Sequence, residues 1–534
     1  MMSKSLSRYP VLTLISWGIA GLVLLPLIGL GWGLLYPPAH PLIEQTASFV
    51  TLFQQSNAWR LLINTTLLAL ITSTLAGAIG LWFAWIEQRK QYPARQLLAI
   101  LDLLPLAVPS YLIAATLRDS LGPGGLLSAW IQLPIFKGFI PAIIVLTLIT
   151  VPYVHLLVSA ALKNLSAQEE ETAQCLGASS TKIFWQIIFP KLRPSFAFAW
   201  LIGLLYIISD FGAVAVLDTQ VLTWRLYQAV DHQQLAKATL LGSVLLLLAL
   251  SLLLIAKRVH GQQPPQSQIH NPKPTRRTTL TGGPLWLTYG LHLLVIGLGV
   301  VIPVIALAQW VLNGFIHQLH FAALWPPIAD TLYVSVFSAT LIVLLTLAPA
   351  WLVGRQYLSR TVEQLIYMTS SLPGILLAFG LLLWTLWIVD FLPNTNASYQ
   401  WLLTSGILLF MGYAMRFMAE AYGGLKSAVM LYDPRLGETA RILNSPRRRY
   451  VLQVMLPAFR PALGAAWLLV LLALIKELPV TLLLGGPMGI RTLSFRIFDR
   501  YQEAFLHDVG AAGLMLVMMS LTLVVITLRW RRHV

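Results

Sequence analysis

The chain has 534 residues, of which 57% are hydrophobic and only 10% are charged. Its mean hydropathy of +0.74 excludes a water-soluble globular protein, because only lipid can solvate so many apolar side chains. The formal net charge of +16 would also suit a nucleic-acid-binding protein, yet Lys and Arg alternate from loop to loop, as they do in membrane proteins. We therefore expect a membrane protein surrounded by lipid, without nucleic acid as a partner. The single cysteine, Cys175, excludes a disulfide framework within the chain.

The apolar runs predict the fold class. A membrane-spanning helix needs roughly 20 mainly apolar residues, and the chain contains about 12 such runs by this criterion. They begin near Val11, Trp59, Arg95, Phe139, Ser195, Lys237, Leu285, Asp330, Thr361, Leu403, Arg460 and Val509. The first run is too long for a cleavable signal peptide and predicts a retained signal anchor. We expect an all-α membrane protein with about 12 transmembrane helices.

The basic residues predict the orientation of these helices. Lys and Arg follow the second, fourth and sixth runs, as at Arg89, Lys182 and Lys257, whereas the loops after the first, seventh and ninth runs carry almost none. The loop after the eleventh run is an exception, since it carries three arginines, at 491, 496 and 500. The positive-inside rule then places both termini of this multi-pass protein in the cytoplasm, and the family resemblance given below implies the bacterial inner membrane.

The two halves of the chain repeat one another. Residues 260–283 form a polar, Pro- and Gln-rich segment that predicts a cytoplasmic linker between a first transmembrane domain, 1–259, and a second, 284–534. Glu171-Thr172-Ala173 recurs as Glu438-Thr439-Ala440, 267 positions later (438 − 171), and the same offset joins Asp210 to Glu477. Six spans in each half predict two parallel six-helix repeats related by a pseudo-twofold axis along the membrane normal.

A polar segment between the fourth and fifth runs, EETAQCLGASSTKIFWQIIFPKLRPS, is amphipathic and predicted to be cytoplasmic. Its pattern predicts a helix, a turn at Gly177 and a second helix whose apolar stripe includes Ile183, Phe184 and Ile187. The segment by itself is equally typical of an interfacial elbow with basic side chains on lipid phosphates. Its second copy, GETARILNSPRRRYVLQVMLPAFRP, favours a shared functional role.

Both copies resemble the cytoplasmic signature of binding-protein-dependent ABC importer permeases, which is Glu-Ala-Ala, three residues, Gly, nine residues, and Ile-x-Leu-Pro. The matching residues are Glu171, Thr172, Ala173, Gly177, Ile187 and Pro190 in the first copy, and Glu438, Thr439, Ala440, Asn444, Leu456 and Pro457 in the second. The resemblance implies a type I ABC importer-like fold. It also implies that the two loops are coupling helices docking on two copies of an ATPase subunit, and that a periplasmic substrate-binding protein is a further partner. Asn444 departs from the signature, but Asn tolerates the left-handed backbone that the turn requires.

The resemblance narrows to the fused permeases of ferric iron importers. It rests on the segments LPLAVPSYLIAATL, SDFGAVAVL, KELPVTLLL and RTLSFRIF. It implies a permease subunit that forms the translocation pathway for ferric iron. Related permeases for thiamine, phosphonate, sulfate or polyamines share the same cytoplasmic signature, so these substrates stay open.

Two acidic residues lie inside apolar runs at equivalent places, Asp210 in the fifth and Glu477 in the eleventh. Ionisable residues inside a membrane usually face a cavity or a partner. The pair therefore suits either contact with a hard cation in the translocation pathway or a structural role as helix caps. His317 and His320 have i, i+3 spacing without a third ligand nearby, so the metal ligands stay unknown.

Several catalytic motifs are missing from the sequence. It contains no Gly-x-x-x-x-Gly-Lys-Ser/Thr loop and no His-Glu-x-x-His motif. We expect a permease subunit that is not itself an enzyme and holds no cofactor, with Mg-ATP bound by its ATPase partners. The rival classes are a secondary transporter, which would share the parallel repeats but not the two docking loops, and a polytopic membrane enzyme, which would need clustered catalytic residues.

Overall fold

A computed structural model describes residues 9–533, apart from residues 36–52, 55, 127, 129–134, 166, 261–276, 317–320, 390, 393–394, 434 and 444–445. Helices dominate the described residues. Those up to residue 260 are α1 Pro10–Leu22, α2 Leu25–Leu35, α3 Ala58–Arg89, α4 Arg95–Leu101, α5 Ser110–Leu121, α6 Phe139–Lys163, α7 Ala167–Cys175, α8 Ser180–Ile183, α9 Phe189–Ser209, α10 Gly212–Val216, α11 Leu222–Asp231 and α12 Leu235–His260. A 3₁₀ helix, Leu104–Ala107, and a π-helix, Phe184–Ile188, join some of them.

The remaining helices are α13 Gly283–Ile296, α14 Ile302–Ile316, α15 Trp325–Gly354, α16 Arg360–Ser370, α17 Gly374–Val389, α18 Thr395–Thr404, α19 Ile407–Leu431, α20 Arg435–Ile442, α21 Arg447–Tyr450, α22 Leu456–Ile475, α23 Pro479–Leu484, α24 Leu493–Gln502 and α25 Leu506–His533. Further π-helices are Gly297–Val301 and Val451–Met455, and further 3₁₀ helices are Phe321–Leu324 and Gly486–Met488. Two short strands, β1 Lys90–Gln91 and β2 Thr278–Thr279, pair in parallel with Lys90 opposite Thr278.

The spans agree in number with the prediction but not all in shape. Within the described residues, nine helices are long and apolar enough to cross a membrane, and three bent helix pairs raise the number to as many as 12. The predicted spans beginning near Arg95 and Thr361 are bent pairs, with angles of 97° and 107°, whereas the span beginning near Leu403 is the unbroken helix α19, which makes an angle of 52° with the preceding helix α18. The prediction of an all-α membrane protein is confirmed, whereas the breaks in the first two of these spans are a correction.

Proline explains the first two bends. In one, the backbone is extended at Val108 and Pro109 before α5 begins, and in the other Pro373 stands between α16 and α17. Proline has no amide hydrogen and disfavours helical backbone in the preceding residue, so a helix ends before it. The two prolines occupy equivalent places in the repeats, and the break is therefore a duplicated feature.

The described residues divide into two compact units that do not follow the order of the chain. The first-repeat unit comprises Gln45–His317 and Leu506–Ala511, and the second-repeat unit comprises Met1–Glu44, Gln318–Phe505 and Ala512–Val534. The first-repeat unit thus contains α13 and α14, the first helices of the second half of the sequence. The second-repeat unit contains α1 and α2, the first helices of the first half. The predicted boundaries, 1–259 and 284–534, remain a prediction about the sequence repeat.

In the second-repeat unit, α2 is held by close-packed contacts with α17. Gly29 of α2 and Gly380 of α17 meet with their backbones so close that a Cβ on Gly29 would overlap the carbonyl oxygen of Gly380. A Cβ on Gly380 would lie 2.5 Å from the carbonyl oxygen of Pro26. Small residues allow such close approach of helices in membranes, where van der Waals contact drives association.

In the first-repeat unit, α13 is held by polar contacts instead. The imidazole Nδ1 of His292 lies 2.9 Å from the carboxylate of Asp102, and the Tyr92 hydroxyl lies 3.3 Å from His292 Nε2. Asp102 and His292 are only 0% and 2% exposed. The Trp82 indole donates to the Thr288 hydroxyl at 3.1 Å. These side chains form a buried hydrogen-bonded network that positions α13 on the rest of the unit.

Candidate functional site: the two coupling loops

The first coupling loop, defined as residues 167–190, has the predicted helix, turn and helix. Helix α7 ends at Cys175, and Gly177 has a φ of +79°, a conformation that glycine adopts without steric strain. The Ser179 hydroxyl accepts a hydrogen bond from the Lys182 amide and caps α8. Ile183 and Ile188 are then buried in an apolar cluster with Val154, which fixes the second half of the loop to the transmembrane helices.

A π-helix occupies the same place in both repeats. Phe184–Ile188 and Val451–Met455 are 267 residues apart and each ends just before a proline at the second position of the next helix, Pro190 or Pro457. Because proline cannot donate to a carbonyl in the preceding turn and crowds that turn, the ladder widens locally. The widened turn redirects the polypeptide from the loop into the following span.

The signature residues have the same environment in the two loops. Glu171 and Thr172 are exposed and Ala173 is half-buried, and the corresponding Glu438, Thr439 and Ala440 repeat that pattern. Both threonine hydroxyls donate to the carbonyl oxygen four residues earlier, at 2.8 and 3.0 Å. Each loop therefore presents a carboxylate beside a small residue on an exposed helical face.

The other signature residues lie on the second part of each loop. Ile187 is half-buried, whereas Pro190, Leu456 and Pro457 are more exposed. Asn444 lies outside the described residues, so the turn of the second coupling loop, defined as residues 435–457, stays a prediction.

A buried ion pair anchors the first coupling loop, and the sequence analysis did not predict it. The guanidinium of Arg89, the last residue of α3, makes two hydrogen bonds with the Glu170 carboxylate, from Nε to Oε2 at 2.8 Å and from Nη2 to Oε1 at 2.7 Å. Arg89 Nη2 also lies 3.3 Å from the carbonyl oxygen of Leu162. The side chains are only 8% and 4% exposed. Paired, bidentate geometry of this kind is specific as well as strong.

The signal for this pair was the doublet Glu170-Glu171. Sequence spacing shows that the doublet begins a helix but not which carboxylate points inward, since adjacent residues differ by about 100° around the helix. The structure turns Glu170 toward Arg89 and leaves Glu171 exposed.

The second coupling loop has no such ion pair among its described residues. Gly437 stands 267 positions after Glu170, and a Cβ there would lie 3.1 Å from the hydroxyl oxygen of Tyr450. Arg355, the counterpart of Arg89, donates to the carbonyl oxygen of Tyr432 at 2.9 Å. Its guanidinium also lies 5.3 and 5.5 Å from the ring centroids of Trp351 and Tyr432, within the range of cation–π attraction.

Two tyrosine hydroxyls complete this second anchor. Tyr432 and Tyr450 are joined by a hydrogen bond of 3.0 Å between their hydroxyl oxygens. Burial raises the pKa of the Tyr432 phenol, and its hydrogen bond with Tyr450 raises it further. The phenol therefore stays neutral at physiological pH, and it supplies no negative charge to balance Arg355.

The two intramembrane acids cap short helices. A carboxylate oxygen of Asp210 accepts a hydrogen bond from the Ala213 amide at 2.9 Å. Glu477 accepts from the amides of Val480 and Thr481 at 2.8 and 3.1 Å. Both acids are buried and bond the amide three residues later, so the structural reading of these residues has direct geometric support. Contact with a transported cation stays a prediction.

Further ionisable residues of the second-repeat unit lie near Glu477. Arg416 interacts electrostatically with Glu477 and Glu420, and Lys476 with Glu420. A Cβ on Gly374, at the start of α17, would lie 2.6 Å from Arg416 Nη1. Arg416 thus lies close to the start of α17 and to Glu477, which stand at two helix breaks inside apolar spans, and ionisable residues at such breaks often mark a binding region in transporters. The sequence analysis did not single out Glu420.

Metal-ligating groups do not cluster in the described part of the chain. No set of three or more His, Cys, Asp or Glu side chains there is arranged to hold a metal ion. His317 and His320 lie outside the described residues, and Cys175 is exposed at the end of α7.

Several known permeases are similar to this chain. Fe(3+)-transport system permease protein FbpB 2 of Haemophilus influenzae is 27% identical over 484 residues, which cover 89% of this chain and 90% of that protein. Putative ferric transport system permease protein FbpB 1 of the same organism is 22% identical over 77% of this chain and 68% of its own length. Sulfate transport system permease protein CysT of Escherichia coli is 27% identical over 43% of this chain and 89% of its own length.

The family assignment rests on two matched segments. The model of the binding-protein-dependent transport system inner membrane component matches residues 76–263 and again residues 342–534. The two matches agree with the duplicated loops, caps and breaks, and together they include most of the chain. This chain belongs to the inner membrane components of binding-protein-dependent transport systems, as a fused permease of ABC importer type with two copies of the domain.

Proposed function

We propose that this permease forms the pathway through which an ATP-driven importer carries ferric iron across the bacterial inner membrane. The observation that carries the proposal is the similarity to a ferric permease over nearly the whole length of both chains. The similarity to sulfate permeases extends over 35–43% of this chain, which is about one repeat. Sulfate is therefore the second candidate, ahead of thiamine, phosphonates and polyamines.

The coupling loops give this proposal a mechanism. We assign each exposed Glu-Thr-Ala face to one copy of an ATPase subunit, where Glu171 and Glu438 make charge-assisted hydrogen bonds and the small alanines permit close approach. Closure of the two ATPase subunits on Mg-ATP then moves the loops and switches the spans from inward-facing to outward-facing. A periplasmic binding protein delivers the substrate to the opened pathway. Both termini lie in the cytoplasm, and the permease holds no cofactor and hydrolyses no ATP itself.

Charge reversal in both loops tests the docking assignment. The double variant E171K/E438K is expected to lose at least about tenfold in ATPase co-purification, since each lost charged contact weakens binding by about 1–3 kcal/mol. E503K is the matched control, because Glu503 is exposed and lies outside both loops. Intact co-purification and transport in the double variant would contradict the assignment.

Uptake assays separate the two candidate substrates. Proteoliposomes containing the permease, its ATPase and its binding protein are loaded with ATP and given radioactive ferric iron or radioactive sulfate. We expect ATP-dependent uptake of iron and none of sulfate. The opposite result would replace iron by sulfate while leaving the importer mechanism in place.

Conservative amide substitution tests the pathway acids. D210N and E477Q retain an oxygen that accepts the capping amide hydrogen but lose the negative charge. If these acids contact the cation, iron uptake falls by about tenfold or more, since a charged ligand contributes at least about 1.5 kcal/mol. If they only cap helices, uptake stays within about twofold of wild type.

A further inference from the structure

We propose that the Arg89–Glu170 pair is a positioning element that transmits the movement of the first coupling loop to the transmembrane helices. The second coupling loop has Gly437 at the place of Glu170 and no such pair among its described residues, so the two ATPase contacts are mechanically unequal. This positioning role rests on the proposed coupling function and deepens it by naming residues that touch neither ATP nor substrate.

The position of the pair in the fold supports this role. Glu170 lies on α7, one residue before Glu171, which belongs to the exposed docking face. Arg89 is the last residue of α3, a helix of 32 residues that runs through the first-repeat unit. A force on α7 therefore reaches the end of α3 through one side-chain contact rather than through flexible backbone.

The chemistry of the pair suits a rigid connection. Two parallel N–H···O hydrogen bonds fix the direction of the carboxylate as well as its distance, which a single contact does not do. The carbonyl oxygen of Leu162, at the end of α6, accepts from the same guanidinium. Three helices, α3, α6 and α7, thus meet at one buried group, and none of them moves independently without breaking a charged hydrogen bond.

The second repeat supplies the contrast. At the position of Glu170 it has Gly437, which carries no side chain, and Arg355 binds a carbonyl oxygen and two aromatic rings outside α20. Tyr450, whose hydroxyl oxygen would lie 3.1 Å from a Cβ built on Gly437, belongs to the same coupling loop and is joined by a hydrogen bond to the Tyr432 hydroxyl at the end of α19. Gly437 itself has no side chain with which to form a charged hydrogen bond to a transmembrane helix.

The test uses the complete importer in proteoliposomes and measures substrate transported per ATP hydrolysed. E170Q retains size and one acceptor oxygen but removes the charge. We expect it to keep ATPase co-purification while transport per ATP falls about fivefold or more, the usual scale of a lost coupling between two sites. E169Q is the matched control, because Glu169 lies on the same helix, is exposed, and pairs with Lys191 at the surface. Its transport per ATP is expected to stay within about twofold of wild type.

A second pair of variants compares the repeats directly. R89K and R355K make the same chemical change at equivalent positions, keeping the charge and removing the planar fork. R89K is expected to lower transport per ATP about threefold or more, whereas R355K changes it by less than about twofold. These variants keep the comparison informative if E170Q does not fold.

The possible outcomes are distinct. A wild-type complex without ATPase activity stimulated by the binding protein contradicts the proposed function itself. A coupled wild type with the same ratio in E170Q, R89K and the controls overturns the positioning role. Loss of ATPase co-purification in E170Q also overturns it, because the pair would then shape the docking surface rather than transmit its movement. Equal losses in R89K and R355K overturn the asymmetry.

Discussion

The two repeats share their loops, helix breaks and capping carboxylates but are stabilised by different side-chain chemistry. In the first-repeat unit, buried polar partners hold the functional elements, as in Arg89 with Glu170 and Asp102 with His292. In the second-repeat unit, a stacked arginine and close glycine contacts take these roles. The duplicated fold therefore does not require a duplicated set of interactions.

The features that both repeats share differ in kind from these stabilising contacts. Both repeats have the exposed Glu-Thr-Ala face, the π-helix before a proline, the bent span and the capping carboxylate. These features set the direction of the chain or face a partner. The features that differ, by contrast, join elements within one unit. Several chemistries can hold two helices together, although the Arg89–Glu170 pair is the one to which we also assign the transmission of movement. The difference predicts that the packing of α13 in the first-repeat unit is sensitive to loss of a polar partner, and the packing of α2 in the second-repeat unit to added volume.

Removal of His292 should give the largest effect on stability. H292A leaves the carboxylate of Asp102, which is 0% exposed, without its histidine partner, and an uncompensated buried acid costs about 3 kcal/mol or more. Thermal unfolding in detergent measures this loss. The control H232A removes an exposed histidine and is expected to change stability by less than about 0.5 kcal/mol. Equal stability of the two variants would show that the polar network does not hold α13.

A methyl group at the glycine contact should give the next effect. In G380A the new Cβ lies against the carbonyl oxygen of Pro26, and overpacking of this kind costs about 1–3 kcal/mol. G424A is the matched control, since Gly424 also lies in a helix of the same unit and a Cβ added there would meet no atom within 4 Å. We expect G424A to be neutral or slightly stabilising by up to about 1 kcal/mol. A neutral G380A would refute the close packing of α2 on α17.

Loss of the tyrosine pair should give the smallest effect. Y450F removes one hydroxyl of the Tyr432–Tyr450 hydrogen bond and is expected to cost about 0.5–1.5 kcal/mol. Unfolding of Y450F is compared with that of Y333F, since Tyr333 is 60% exposed. A loss as large as that of H292A would remove the contrast between the two repeats.

The sequence predicted the features that arise from composition or from duplication. Apolar length indicated the class and approximate number of spans, and the 267-residue offset located both loops and the two capping acids. It did not predict the bends, because a helix broken at Pro109 has the same apolar composition as a continuous one. Nor did the sequence predict the pairing of Glu170 with Arg89 or of His292 with Asp102. The partners are 81 and 190 positions apart in the chain, and only the fold brings them together.

The contact between Gly29 and Gly380 has a consequence for how the protein is made. The partner of α2 is synthesised roughly 350 residues later, which corresponds to roughly 20–70 s at about 5–20 residues per second. Throughout that interval the glycine face of α2 has no α17 to pack on. This first segment is therefore inserted long before the α17 surface that it packs against is synthesised. Assembly of the second-repeat unit therefore begins with α2 already inserted in the bilayer before α17 is made. A chain truncated at the linker never makes α17, so α2 remains without its packing partner.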